Sequence, residues 1–89
     1  MKYIFRMHAL QRMLERDISK EEVMYCIENG TIIEEYPNDT PYPSYLKHTI
    51  YKTQPLHVVY AKAKDNIIVI TVYRPDPSKW NENFTKRKK

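Results

Sequence analysis

The stretch "PLHVVYAKAKDNIIVITVYR", residues 55–74, decides the fold. Two runs rich in β-branched residues flank "AKDN", so the segment reads as a β-hairpin. Taking Lys64, Asp65 and Asn66 as a three-residue loop, with Asn66 left-handed, sets Ala63 opposite Ile67. In that register Leu56, Val58 and Tyr60 share one face with Ile68, Ile70 and Val72. His57 emerges on the other face beside Thr71 and Tyr73. A loop one residue shorter or longer would bring His57 among the aliphatic side chains and demand a buried partner for it.

Working toward the N-terminus, "YLKHTIYK" (45–52) and "TIIEEY" (31–36) read as two more strands, with the proline-rich "PNDTPYPS" (37–44) as a surface crossing between them. Further upstream, "SKEE" from Ser19 to Glu22 is a capping box, and Gly30 ends the helix that it opens, giving a helix over about 20–29. In the preceding segment Met7, Leu10, Met13 and Leu14 recur at helical spacing and predict an amphipathic helix over about 6–16. That face is expected on the core, with His8, Arg12, Glu15 and Arg16 opposite. Toward the C-terminus Pro75 and Pro77 stop the last strand, Trp80 and Phe84 stand at the spacing of one helical turn, and "TKRKK" is expected to be disordered. The expected architecture is α+β: two N-terminal helices packed on a four-stranded antiparallel sheet, then a short C-terminal helical turn. It forms a single domain over 1–84, with a disordered basic tail over 85–89.

At 89 residues the chain has apolar material for one core. Its eight Tyr suit interfaces and sheet faces, and its formal charge of +4 leans toward an anionic partner, the four cations of "KRKK" matching that excess. Cys26 is the sole cysteine, at an apolar position of the second helix, which suits buried filler and a reducing compartment. No apolar stretch approaches a signal peptide or a membrane span, so a cytoplasmic protein is expected.

The histidines His8, His48 and His57 lack the paired spacing of a metal site, so no metal is expected, and no cofactor either. One glycine leaves no phosphate-cradling loop, and there is no nucleophile elbow. The remaining His, Arg and Tyr side chains suit metal-independent RNA cleavage. A base takes the ribose 2′-OH proton, cations stabilise the phosphorane charge and an acid protonates the leaving oxygen. Bland readings stand beside this one. Spacing alone favours a solvated face for His8, Arg12 and Arg16, His57 also suits a histidine satisfied within the sheet, and Trp80 suits a core plug.

The blocks "HALQRMLERDIS", "IEEYPNDTPYPSYL", "PLHVVYA" and "ITVYRPDPSKW", taken in order, resemble a bacterial family of small domains of unknown function, over about residues 5–84. That family is in turn similar in size and layout to the RelE-like and BrnT-like ribonuclease toxins of toxin–antitoxin pairs. The resemblance implies metal-independent RNA cleavage, with roles for His8, Arg12, Arg16, His57 and Tyr73. Where the pattern carries a basic residue before the proline of "PLHVV", this chain has Gln54. The expected assignment is a small toxin-like ribonuclease with His8, His57 and Tyr73 catalytic and Arg12, Arg16 and Thr71 holding RNA. An antitoxin-like protein is a second expected partner. The convergence of these residues requires the first helix to lie across the sheet face that carries His57. The alternative is a non-catalytic nucleic-acid- or protein-binding module.

Overall fold

A computed structural model describes residues 2–88. Its elements run β1 (Lys2–Phe5), α1 (Met7–Arg16), α2 (Lys20–Asn29), β2 (Thr31–Tyr36), β3 (Ser44–Tyr51), β4 (Gln54–Ala63) and β5 (Asn66–Tyr73). The fold is α+β, with two helices on a five-stranded mixed sheet of order β1-β5-β4-β3-β2. The four strands read from the sequence pair antiparallel in chain order. The fifth, β1, was not expected. It pairs parallel with β5, Tyr3 opposite Ile67 and Phe5 opposite Val69, and turns the antiparallel sheet into a mixed one. A four-residue strand whose partner lies more than sixty positions away leaves no local signal.

The second helix forms as its cap dictates. The Glu22 amide donates to the Ser19 hydroxyl at 3.1 Å, satisfying one of the orphan amides of the first turn. Gly30 ends it in extended backbone, so its absent side chain matters through space rather than through a positive φ. A Cβ there would stand 2.4 Å from the Cys26 carbonyl oxygen and 2.8 Å from that of His48.

The β4–β5 hairpin corrects the expected register in an instructive way. Its loop has two residues, Lys64 and Asp65, so Ala63 faces Asn66, and a bulge between Val59 and Tyr60 then leaves Ile70 unpaired on β5. A loop shorter by one and a bulge longer by one cancel, so Val58 meets Val72 and His57 meets Tyr73 as expected. Between loop and bulge the faces are exchanged. Ile67 and Val69 join the core with Val72, in place of Ile68 and Ile70.

One face of the sheet packs under the helices, where Ala9, Met13, Ile18, Val23, Cys26 and Ile27 meet Leu56, Val58, Tyr60, Ile67, Val69 and Val72. The expected inner face of α1 holds only at Met13, which is buried together with Ala9, while Met7, Leu10 and Leu14 are 77%, 43% and 86% exposed. The opposite sheet face carries Leu46, His57 and Ala61, all buried, and is crossed by the irregular segment 74–88, here called the strap. No helical turn forms at Trp80 and Phe84. Turns anchored by the Asp76 carbonyl lead instead into an antiparallel bridge between Trp80 and Arg87, with Phe84 at φ 58°. Residues 85–88, expected to be disordered, carry this return, and the Lys88 amide donates to the Lys79 carbonyl at 2.9 Å. Lys89, the end of the expected tail, lies outside the described residues. Among the described residues no helix is long and apolar enough to cross a membrane.

Candidate functional site, a basic groove beside a buried histidine

The two-residue turn at Lys52 and Thr53, both at positive φ, sets the β3–β4 register and brings His48 directly opposite His57. On the far side β5 brings Tyr73 opposite His57. The three rings form a row across the sheet, each neighbouring pair edge-on with centroids 5.2 Å apart, and the Trp80 ring caps His57 at 4.5 Å.

His57 is fully buried, and both of its ring nitrogens are engaged. Nε2 lies 2.7 Å from the Phe84 carbonyl oxygen, which can only accept, so Nε2 carries the proton. Nδ1 is then an acceptor, and the Tyr73 hydroxyl donates to it at 3.2 Å. Burial pushes the His57 ring down to about 4, against the upward pull of the Phe84 carbonyl, so it is neutral at physiological pH. Burial also lowers His48, and it raises the Tyr73 phenol despite the nearby Arg87.

The strap is pinned over this row by Arg87. Its guanidinium donates to Glu34 through Nε at 2.8 Å and Nη2 at 3.1 Å, and lies 4.6 Å over the Trp80 ring. The Arg87 fork holds the Glu34 carboxyl below its ordinary value, against partial burial, while the Tyr36 hydroxyl adds a bond at 2.5 Å. Tyr36 is itself driven up to about 12, first by burial and then by Glu34.

Where the end of α1 meets the end of β5 and the start of the strap, Arg16, Tyr73, Arg74, Asp76, Lys79, Trp80 and Arg87 line an open groove of about 400 Å³. A second hollow of about 370 Å³ adjoins it through Arg16 and Arg74 and is also lined by Lys52, Gln54 and the carboxylates of Asp17 and Glu22. Arg74 is tied to the Glu22 carboxylate at 2.8 Å and to the Pro55 carbonyl at 3.2 Å. Among the described residues Arg16 and Lys79 make no ion pair. In the first groove four cations face one lining carboxylate, Asp76, with two of the cations held by their own partners and two available. Such an arrangement accepts phosphate oxygens.

The structure therefore divides the expected site. Arg16 and Tyr73 meet in the groove. His57 stands behind Tyr73, under the strap. His8 and Arg12 are exposed on α1, which packs on the helix side of the sheet, so the expected convergence across the His57 face does not occur. Arg12 pairs with Glu15 on its own helix at 3.0 Å. Thr71 pairs with Val59 on the strap side, half-buried and outside the groove lining. Arg74, Lys79, Arg87 and His48 were missed. The first three are signalled by cations interleaved with Tyr73 and Trp80 around two prolines, and His48 by the spacing of a two-residue turn after Tyr51. Among the described residues no group of three or more His, Cys, Asp or Glu side chains is placed to hold a metal ion.

Fold and groove together define a small α+β domain with a cationic groove at one end of its sheet. The family model described as a domain of unknown function, DUF4258, matches residues 5–74, and the chain belongs to that family. The match ends at Arg74, so Lys79, Trp80 and Arg87 lie beyond it. No match to the chain was found among curated proteins or among solved structures.

Proposed function

We propose that the protein binds RNA, seating backbone phosphates in the groove between α1, β5 and the strap. The observation that carries this reading is the lining itself: Arg16 and Lys79 available, Arg74 and Arg87 held in fixed positions, and the Tyr73 and Trp80 rings between them. Arginine forks match phosphate oxygens, and aromatic edges beside them suit an unpaired strand better than a rigid duplex. The test is a titration of single-stranded RNA at increasing salt. Each phosphate contact contributes about −0.7 to the slope of log affinity against log salt, so two to four contacts give roughly −1.4 to −2.8. A salt-independent affinity, or none, defeats the proposal.

One observation favours a second reading, metal-independent cleavage by a toxin-like ribonuclease at the same groove. Tyr73 lines the groove with the cations, and its hydroxyl donates to neutral His57. With phosphate seated there, the ribose 2′-oxygen attacks phosphorus and its own proton passes to water. Arginines stabilise the phosphorane charge, and Tyr73 turns its O–H from His57 Nδ1 to the departing 5′-oxygen and gives it that proton, leaving a 2′,3′-cyclic end. Water then reprotonates the phenolate. His57 acts here as a positioning residue. Incubation with mixed RNA in EDTA reads the outcome: cyclic ends that vanish in Tyr73→Phe support cleavage, and intact RNA leaves binding as the activity.

A further inference from the structure

The groove and the strap leave the strongest surface feature of α1 unused. Met7, Leu10 and Leu14 stand three and four residues apart, so they form one ridge along the helix, and all three are exposed. An apolar ridge on a helix whose other side already packs on the core marks a contact surface.

The charges beside the ridge say what it fits. On one flank Arg6 precedes Leu10 by four residues and Asp17 follows Leu14 by three. On the other flank His8 and Glu15 lie three before and four after Gln11, which itself sits between Met7 and Leu14. All four of these residues are exposed. On the first flank the basic residue is at the N-terminal end and the acidic residue at the C-terminal end; on the second His8 stands at the N-terminal end, and Glu15 at the other already holds Arg12 at 3.0 Å. A two-fold axis through the middle of the ridge runs a second α1 antiparallel to the first and sets like flanks against each other. Met7 then meets Leu14 of the other copy, Leu10 lies near the axis, Arg6 faces Asp17 and His8 faces Glu15. A parallel arrangement would oppose Arg6 to Arg6 and Asp17 to Asp17. An acidic partner helix would answer the N-terminal end of the ridge and be repelled at the other.

We propose that the ridge Met7, Leu10 and Leu14 is a homodimer surface on which α1 packs antiparallel against α1 of a second copy of this chain. The arrangement leaves the helix side of the sheet and the groove lining unchanged, and does not depend on RNA binding. Three apolar side chains per copy make a small contact, at the weak end of specific interfaces, so association is read at high protein concentration.

The experiment is sedimentation of the RNA-free full chain from about 10 μM to about 1 mM, a span that brackets weak association. The wild type is expected to move from monomer toward dimer. Leu14→Glu, at a position 86% exposed and so without consequence for folding, is expected to stay monomeric throughout. Arg6→Glu sets one carboxylate against another, that of Asp17, and is expected to weaken association at least tenfold. The double variant with Asp17→Lys is expected to restore it. A wild type that stays monomeric at about 1 mM overturns the proposal, as does a dimer indifferent to Leu14→Glu. A double variant no tighter than Arg6→Glu overturns the antiparallel pairing.

Discussion

The two faces of the sheet are built from alternate residues of the same strands, yet they are covered by different physics. Leu56 and Val58 pack under two helices in an aliphatic core, where almost any shape-compatible apolar side chain serves. His57, between them in sequence, faces a strap without regular structure, held by an aromatic cap, a carbonyl and an arginine fork. The helix face gains from area removed from water and is indifferent to pH. The strap face depends on directional bonds and on a ring remaining neutral, so its stability is conditional, and the groove at its margin inherits that condition.

The largest expected effect breaks the helix face. Leu56→Ala empties a fully buried site of the core under the helices and should cost roughly 2–5 kcal/mol in denaturant unfolding. The loss should be nearly the same at pH 7 and pH 5, and a loss that changes strongly with pH would contradict the contrast between the faces.

Next in size is the pH response of the strap face. The His57 ring ordinarily titrates near 6.5 and is held down to about 4 in the fold. Between those values the unfolded chain binds a proton that the folded chain does not. The stabilisation is therefore fully present above pH 6.5 and is lost as the pH falls toward 4. The difference amounts to about 3 kcal/mol. Unfolding free energy measured across this window should fall accordingly, and the ¹⁵N shifts of the His57 ring should remain those of neutral imidazole at pH 5. A protonated ring at that pH would remove the conditional character assigned to this face.

What could be read in advance follows the same division. Local signals specified α2, through Ser19 and Glu22, and β2 to β5, through their β-branched runs. Periodicity also found α1, but a stripe of Met7, Leu10, Met13 and Leu14 says only that a face is apolar, and of these the core took Met13 alone, with Ala9 beside it. The pairing of His57 with Tyr73 was legible, although the strands reach that register through a bulge at Ile70 that no pattern announces. The burial of His57 was legible only as the bland reading of a histidine satisfied within the sheet, beside Trp80 as a core plug; what covers it was not, because the strap's cap, Trp80, and clasp, Arg87, are fixed by contacts with distant strands.

A smaller effect tests that clasp. Arg87→Ala removes the fork on Glu34 and the cation over Trp80, but the arginine side chain is 58% exposed, so solvent discounts the pair to about 1 kcal/mol. The informative readout is local. Amide exchange at residues 80–87 should accelerate in this variant, while residues 56–60, at the sheet centre, remain the slowest of the chain. Uniform acceleration would mean that the strap and the helix face unfold as one unit.

The smallest stability effect separates a site from a surface. Arg16 lines both hollows, is exposed and makes no ion pair among the described residues, so Arg16→Ala should alter stability by no more than about 0.5 kcal/mol. If Arg16 holds a phosphate, the same variant should lower RNA affinity and make the salt slope shallower by about 0.7, the signature of one lost contact. Arg16→Lys should keep the slope while losing affinity, since an ammonium retains the charge without the fork. Arg12→Ala, on the same helix but bonded to Glu15 and away from the groove, should change neither quantity. If Arg12 and Arg16 respond alike, the binding surface is the α1 flank as a whole. If neither responds, the groove does not hold RNA, and the cations at this end of the sheet serve the strap alone.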